Sequence, residues 1–184
     1  MKLLDRLLQR WRIAKAAPYI PQGARVLDVG CYDGSLFSRL QGKVGSGIGV
    51  DPVLSAPMNE GRFQLVVGSF PEDLPAAEAF DVITMLAVAE HFSPERLEEV
   101  ARSCRNVLRP GGRVILTVPS KGVDVILAVL KFVGALDGMS LEEHHGVTPT
   151  TIPPVFERYG FETLTRKRFQ LGVNNLFVLR RPVP

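Results

Sequence analysis

Residues 26–36, Val-Leu-Asp-Val-Gly-Cys-Tyr-Asp-Gly-Ser-Leu, constrain the fold more than any other stretch of the chain. An apolar run ends in Asp28 and passes into a turn carrying Gly30 and Gly34, and a helical pattern starts at Ser35. Glycine has no Cβ, so such a turn can take positive φ and let backbone approach a ligand closely. In open parallel sheets, ligands bind beyond the carboxyl ends of the strands, where this turn would sit. A tight strand–helix link without a ligand is the plainer alternative.

The rest of the chain repeats the alternation. Strand candidates are Arg25–Val29, Gly47–Val50, Phe63–Val67, Phe80–Leu86 and Gly112–Val118, with helical candidates at Ser35–Leu40, Pro94–Leu108 and Asp124–Leu136. Ser93 suits the cap of the second helix and Pro94 its first position. A short helix follows Pro149 and runs to Tyr159, and Phe161–Phe169 with Val173–Leu179 reads as a hairpin across Gln170-Leu171-Gly172. The pattern predicts an α/β fold: a doubly wound, Rossmann-like, seven-stranded sheet, mostly parallel, with an antiparallel C-terminal hairpin. Ahead of it, residues 2–17 read as an amphipathic helix with Leu4, Leu7, Leu8 and Trp11 on one face. With 184 residues and no linker or repeat, we expect one domain over 1–184, with residues 1–20 as its N-terminal helix.

Composition narrows the function classes. Cys31 and Cys104 form no cluster with histidines, so neither a zinc site nor a disulfide framework is indicated, and a reducing, cytoplasmic setting is expected. The start of the chain does not read as a signal peptide. Val123–Leu136 is interrupted by Asp124 and Lys131 and is too short to span a bilayer. The net charge of +3 is unevenly spread: residues 1–15 hold five cations against Asp5, net +4, leaving −1 for the remainder. No basic footprint covers the domain, which disfavours nucleic acid as a partner. The basic N-terminal helix and the segment 121–150 are read as a lid over an acceptor, as packing on the sheet, or as a peripheral membrane contact.

A second chemical signal is Gly47-Ile48-Gly49-Val50-Asp51, a strand ending in a carboxylate 21 residues beyond Gly30. An acid there can accept hydrogen bonds from both ribose hydroxyls of a nucleoside cofactor; a helix N-cap is the alternative. The dinucleotide fingerprint placed on Gly30 would need glycines where Tyr32 and Ser35 stand. Asp28 would repel a pyrophosphate and suits a cationic amino-acid tail better.

These residues carry a resemblance. Val26–Leu36, then Gly47–Asp51, then Phe80–Phe92, then Leu108–Ser120 resemble the class I methyltransferases that use S-adenosylmethionine, in their broad small-molecule branch. The resemblance implies that Asp28, Gly30 and the Cys31, Tyr32, Asp33, Gly34 turn hold the methionine part of the cofactor. It places Asp51 on the ribose, Pro52 and Val53 beside the adenine, and Gly68, Ser69 and Phe70 in the adenine-recognising segment. Leu86 and Ala87 fall near the sulfonium, and Arg109–Gly112 is a structural turn. Tyr32 replaces the middle glycine of the family's loop, leaving it less freedom, and Ser69 stands where an acid is usual, with Glu72 or Asp73 as substitutes.

His91, His144 and His145 are the candidate general bases, since imidazole titrates near neutrality; packing or solvated loop roles are the alternatives. No complete metal ligand set is apparent. The expected function is transfer of a methyl group from S-adenosyl-L-methionine to a small, apolar acceptor, oxygen ahead of nitrogen or carbon. The alternatives are a non-catalytic module with this fold and a nicotinamide-dependent oxidoreductase.

Overall fold

A computed structural model describes residues 3–75, 79–120 and 147–184 of the chain. Its strands are β1 (Ala24–Val29), β2 (Val44–Asp51), β3 (Met58–Glu60), β4 (Phe63–Val67), β5 (Phe80–Leu86), β6 (Leu108–Pro119), β7 (Glu162–Phe169) and β8 (Asn174–Arg180). The helices are α1 (Leu3–Ala16), α2 (Ser35–Arg39), α3 (Pro94–Val107) and α4 (Ile152–Arg158). The candidate helix Asp124–Leu136 lies outside the described residues.

The strands form one sheet in the order β3-β4-β2-β1-β5-β6-β8-β7. Neighbours among β4, β2, β1, β5 and β6 are parallel, and β6–β8, β7–β8 and β3–β4 are antiparallel. The sheet thus has eight strands among the described residues, against seven expected. The addition is β3, three exposed residues whose extended conformation comes from pairing with β4, so no apolar alternation announces it.

Alternate residues of the central strands feed two cores. Leu27, Ile83, Met85, Val114, Leu116 and Phe177 join α3 and α4 through Leu97, Val100, Ile152 and Phe156 on one face. Val26, Val82, Ile115 and Val178 join α1 and α2 through Ile13, Ala16, Leu36 and Phe37 on the other. Burial on both faces explains why these strands read as continuous apolar runs. The outermost strand, β7, is guarded by charge: Arg166 lies over the Phe177 ring at 5.6 Å and Lys167 over Tyr19 at 5.8 Å. Ser93 caps α3 as expected, its side chain accepting from the Arg96 N–H at 3.2 Å.

The connection after β1 runs to one side of the sheet through β2 and β4, and the chain then returns to place β5 on the other side of β1. Such a reversal is where open parallel sheets bind ligands, beyond the carboxyl ends of the strands, and Val29, Asp51, Val67 and Leu86 end their strands along that edge.

Candidate active site

The turn after β1 is built from backbone in the left-handed region. Gly30 has φ +73° and donates its N–H to the Val50 carbonyl at 2.8 Å. A Cβ at Gly30 would stand 2.2 Å from Val88 Cγ2, so the segment after β5 passes where only glycine leaves room. Tyr32 takes φ +50°, adopting the conformation for which a glycine would be the usual choice. Asp51 holds it there: the Tyr32 N–H donates to Asp51 Oδ2 at 2.7 Å. Gly34, at φ +68°, opens α2, and Asp33 Oδ1 accepts from the Ser35 N–H and from Gln9 Nε2, each at 3.1 Å. Gln9 thereby ties α1 to the turn. The Cys31 side chain goes the other way, into the core beneath; a Cβ on Gly49 would come within 2.7 Å of its sulfur. Burial, with Asp28 and Asp51 nearby, pushes the Cys31 thiol upward, which makes it inert.

Asp51 is buried at the end of β2 and joins three strand ends. Beyond the bond from Tyr32, its Oδ1 accepts from the Val53 N–H at 2.9 Å, and its carbonyl accepts from the Gly68 N–H at 3.2 Å. A carboxylate offers about four lone-pair directions, so roughly one per oxygen remains for a ligand. Pro52 and Val53 are exposed beside it. Past β4, the Ser69 N–H donates to Asp73 Oδ2 at 2.8 Å, which puts that acid on the Ser69 turn. Glu72 turns away: Arg96 of α3 binds it and pulls its carboxyl down to about 2. Arg96 also donates to the Phe70 carbonyl at 2.6 Å, and the Phe70 ring is buried in the core. Of the two acids considered for the adenine segment, Asp73 is the one this turn retains.

Asp28 is buried, with the Thr84 hydroxyl donating to its Oδ1 at 2.6 Å. Burial raises its carboxyl to about 7, the Thr84 bond opposing and the charges of Asp51 and Asp33 adding. Three carboxylates therefore gather around one turn, and a ligand with a positive charge relieves them where a pyrophosphate would not. S-adenosylmethionine has that character: a sulfonium and an ammonium, a ribose for Asp51, and no phosphate. The residues present fit it.

The floor nearest the expected sulfonium comes from β5. Leu86 is half-buried, and Ala87, at φ +62°, donates its N–H to the Thr117 carbonyl at 2.9 Å. A 3₁₀ turn, Ala89–His91, follows, ending in an exposed His91 whose N–H bonds the Val88 carbonyl at 3.0 Å. His144 and His145 lie outside the described residues. Among the described residues, no group of three His, Cys, Asp or Glu side chains is placed to hold a metal.

Sequence reasoning passed over two groups at this edge. Glu90 is buried; desolvation raises its carboxyl to about 7, while the charge of Arg12 in α1 opposes that rise. Its one signal was a carboxylate adjoining the His91 imidazole directly after a strand. Gln9 carried no signal, because only docking of α1 brings it to Asp33. The turn Arg109–Gly112 lies at the opposite end of the sheet, lining a cavity of about 400 Å³ with Gly23 and Asp81.

Comparison with known proteins gives the family and the fold. A family described as "Methyltransferase domain" matches residues 2–166. The mitochondrial ubiquinone biosynthesis O-methyltransferase of Mus musculus is 34% identical over 112 residues, covering 54% of this chain and 30% of that protein. The Pseudomonas putida (strain F1) ubiquinone biosynthesis O-methyltransferase is 32% identical over 124 residues, covering 61% of this chain and 51% of its own length. The chain thus spans about half or less of these relatives. A crystal structure of Burkholderia thailandensis 1,6-didemethyltoxoflavin-N1-methyltransferase, with 1,6-didemethyltoxoflavin and S-adenosylhomocysteine bound, superposes with a TM-score of 0.69 at 16% identity. It covers 95% of this chain and 78% of that one, and shows the fold. With a profile match over nearly its whole length, the chain belongs to the methyltransferase-domain family of class I, S-adenosylmethionine-dependent methyltransferases.

Proposed function

We propose that this protein transfers a methyl group to a hydroxyl oxygen of a small, apolar acceptor, acting as one domain in the cytoplasm. The observation that carries the reading is the Asp51 carboxylate, which binds the glycine turn through the Tyr32 N–H and keeps acceptor capacity on both oxygens. The names of the ubiquinone-biosynthesis relatives favour oxygen as the acceptor atom.

Bound S-adenosylmethionine supplies an activated methyl on a positively charged sulfur. Around it, Asp51 would accept from the ribose hydroxyls, with Pro52 and Val53 against the adenine and the Ser69–Asp73 turn at its edge. The backbone of Gly30, Cys31, Tyr32 and Gly34 and the carboxyl of Asp28 hold the amino-acid tail. Leu86 and Ala87 would form the apolar wall beside the sulfonium, and holding acceptor and donor in line in a dry site would supply most of the rate acceleration. His91 accepts the hydroxyl proton; His144 and His145 stand as alternatives for that step.

The test is a transfer assay with S-adenosylmethionine labelled in its methyl group and a panel of hydroxylated and amino-substituted aromatic compounds. The proposal expects label on a hydroxyl, lost in Asp51→Ala. Label only on amines would reject the oxygen preference, and tight cofactor binding without transfer to any acceptor would favour a non-catalytic module.

A further inference from the structure

Helix α1 turns its apolar stripe outward. At 3.6 residues per turn, Leu7, Trp11 and Ala14 share one face. Leu7 is 48% exposed and Trp11 47%, and Ala14 is exposed as well. Arg6 and Arg10 flank that stripe on one side and Lys15 on the other, all exposed. The inward face holds Gln9, bonded to Asp33, Arg12, which interacts with the buried Glu90, and the buried Ile13 and Ala16. Of the stripe read from the sequence, Leu7 and Trp11 face outward and Leu8 is half-buried; the sheet takes the mixed face and leaves the tryptophan exposed.

We propose that α1 docks on an anionic lipid surface. Leu7 and Trp11 enter the boundary between headgroups and acyl chains, and Arg6, Arg10 and Lys15 meet the lipid phosphates. The charge argues for lipid: the first 15 residues carry net +4 while the rest of the chain is net −1, so the excess positive charge lies on the helix that shows the apolar stripe. Docking also has a geometric consequence. Gln9 ties the helix to Asp33 in the glycine turn, and Tyr32 in that turn is itself 46% exposed, so the mouth of the candidate site is held close to the bilayer. An apolar acceptor dissolved in the membrane would reach the site from there. The docking itself does not depend on which acceptor is used.

Trp11 is the sole tryptophan of the chain, so its emission reports this helix alone. The experiment floats the full chain with vesicles of phosphatidylcholine, pure or containing about one-third phosphatidylglycerol, and follows Trp11 fluorescence. The expected result is co-flotation and a blue shift with the anionic vesicles only, both reversed at about 1 M salt. Arg10→Gln should weaken partitioning about fivefold, and Leu7→Ser should weaken it further. Both variants should melt like the wild type and bind S-adenosylhomocysteine normally, which separates failure here from failure of the proposed function. Absence of flotation overturns the proposal. So does a Trp11 emission already blue-shifted and quencher-protected before lipid is added, in a monomer (the stripe is covered by residues 121–146) or in a dimer that Leu7→Ser dissociates (it is covered by a second copy).

Discussion

Replacing Gly30 with alanine tests the construction of the glycine turn. Gly30 has φ +73°, where an alanine costs about 1–2 kcal/mol. Its Cβ would also lie 2.2 Å from Val88 Cγ2, well inside contact distance, and overpacking of that kind costs typically about 1–3 kcal/mol. Together the two terms give roughly 2–5 kcal/mol, or a fall of about 5–15 °C in Tm for a chain of this size. The terms can be separated. Val88→Ala removes the obstructing methyls and by itself costs about 1 kcal/mol. The double variant should be more stable than the sum of the single effects by about 1–3 kcal/mol, leaving the backbone term behind. Thermal melts of the four proteins close the cycle. A Gly30→Ala protein melting within about 2 °C of wild type, or strictly additive variants, would refute the reasoning.

Further outcomes follow from the same geometry. Asp28 and Glu90 both titrate near 7 in the fold, above their ordinary carboxylate values. The folded state therefore keeps protons that the unfolded chain has released, and these two groups lower stability as pH rises from about 4 to about 7. Asp28→Asn, whose Oδ1 can still accept from Thr84, should melt higher than wild type near pH 8 and no differently near pH 4. A cationic cofactor favours ionised Asp28, so affinity for S-adenosylmethionine should rise by up to about tenfold per unit as pH approaches 7 and level off above it, and Asp28→Asn should flatten that slope in a calorimetric titration. Ser93→Ala removes the cap of α3 and should cost about 1 kcal/mol, read as a Tm drop of roughly 2–4 °C.

The ends of Phe63–Val67 and Phe80–Leu86 agree with the structure residue for residue: Gly61-Arg62 and Gly68 bracket the first, and the second carries a buried, mostly apolar centre from Val82 to Met85. β6 begins at Leu108, four residues before the expected Gly112. Reciprocal bonds between Gly111–Gly112 and Arg181 extend the ladder through a turn, and only the fold reveals that partner. The site was legible as a set of strand ends, since the Asp28–Gly34 turn and Asp51 carry charge and glycine where strands stop. Side-chain direction was not. Tyr32 reads as a bulky residue that restricts the loop, yet it adopts positive φ because Asp51 receives its N–H. Cys31 and Phe70 point into the core, leaving mainly their backbones at the turns. The periodicity of α1 put Leu7 and Trp11 on one face and gave no information on which way that face points. Glu90 carried no signal of burial beyond its place beside His91; the turn after β5 encloses it.

Isothermal titration of the full chain with S-adenosylhomocysteine near pH 8 tests the central claim most directly, that the Gly30 turn and Asp51 form one nucleoside site. A single saturable site is expected that raises Tm, with about 2.7 kcal/mol of stabilisation at a hundredfold excess over Kd, and that is lost in Asp51→Ala. Absence of binding at millimolar ligand in the folded wild type, or undiminished binding in Asp51→Ala, would contradict it.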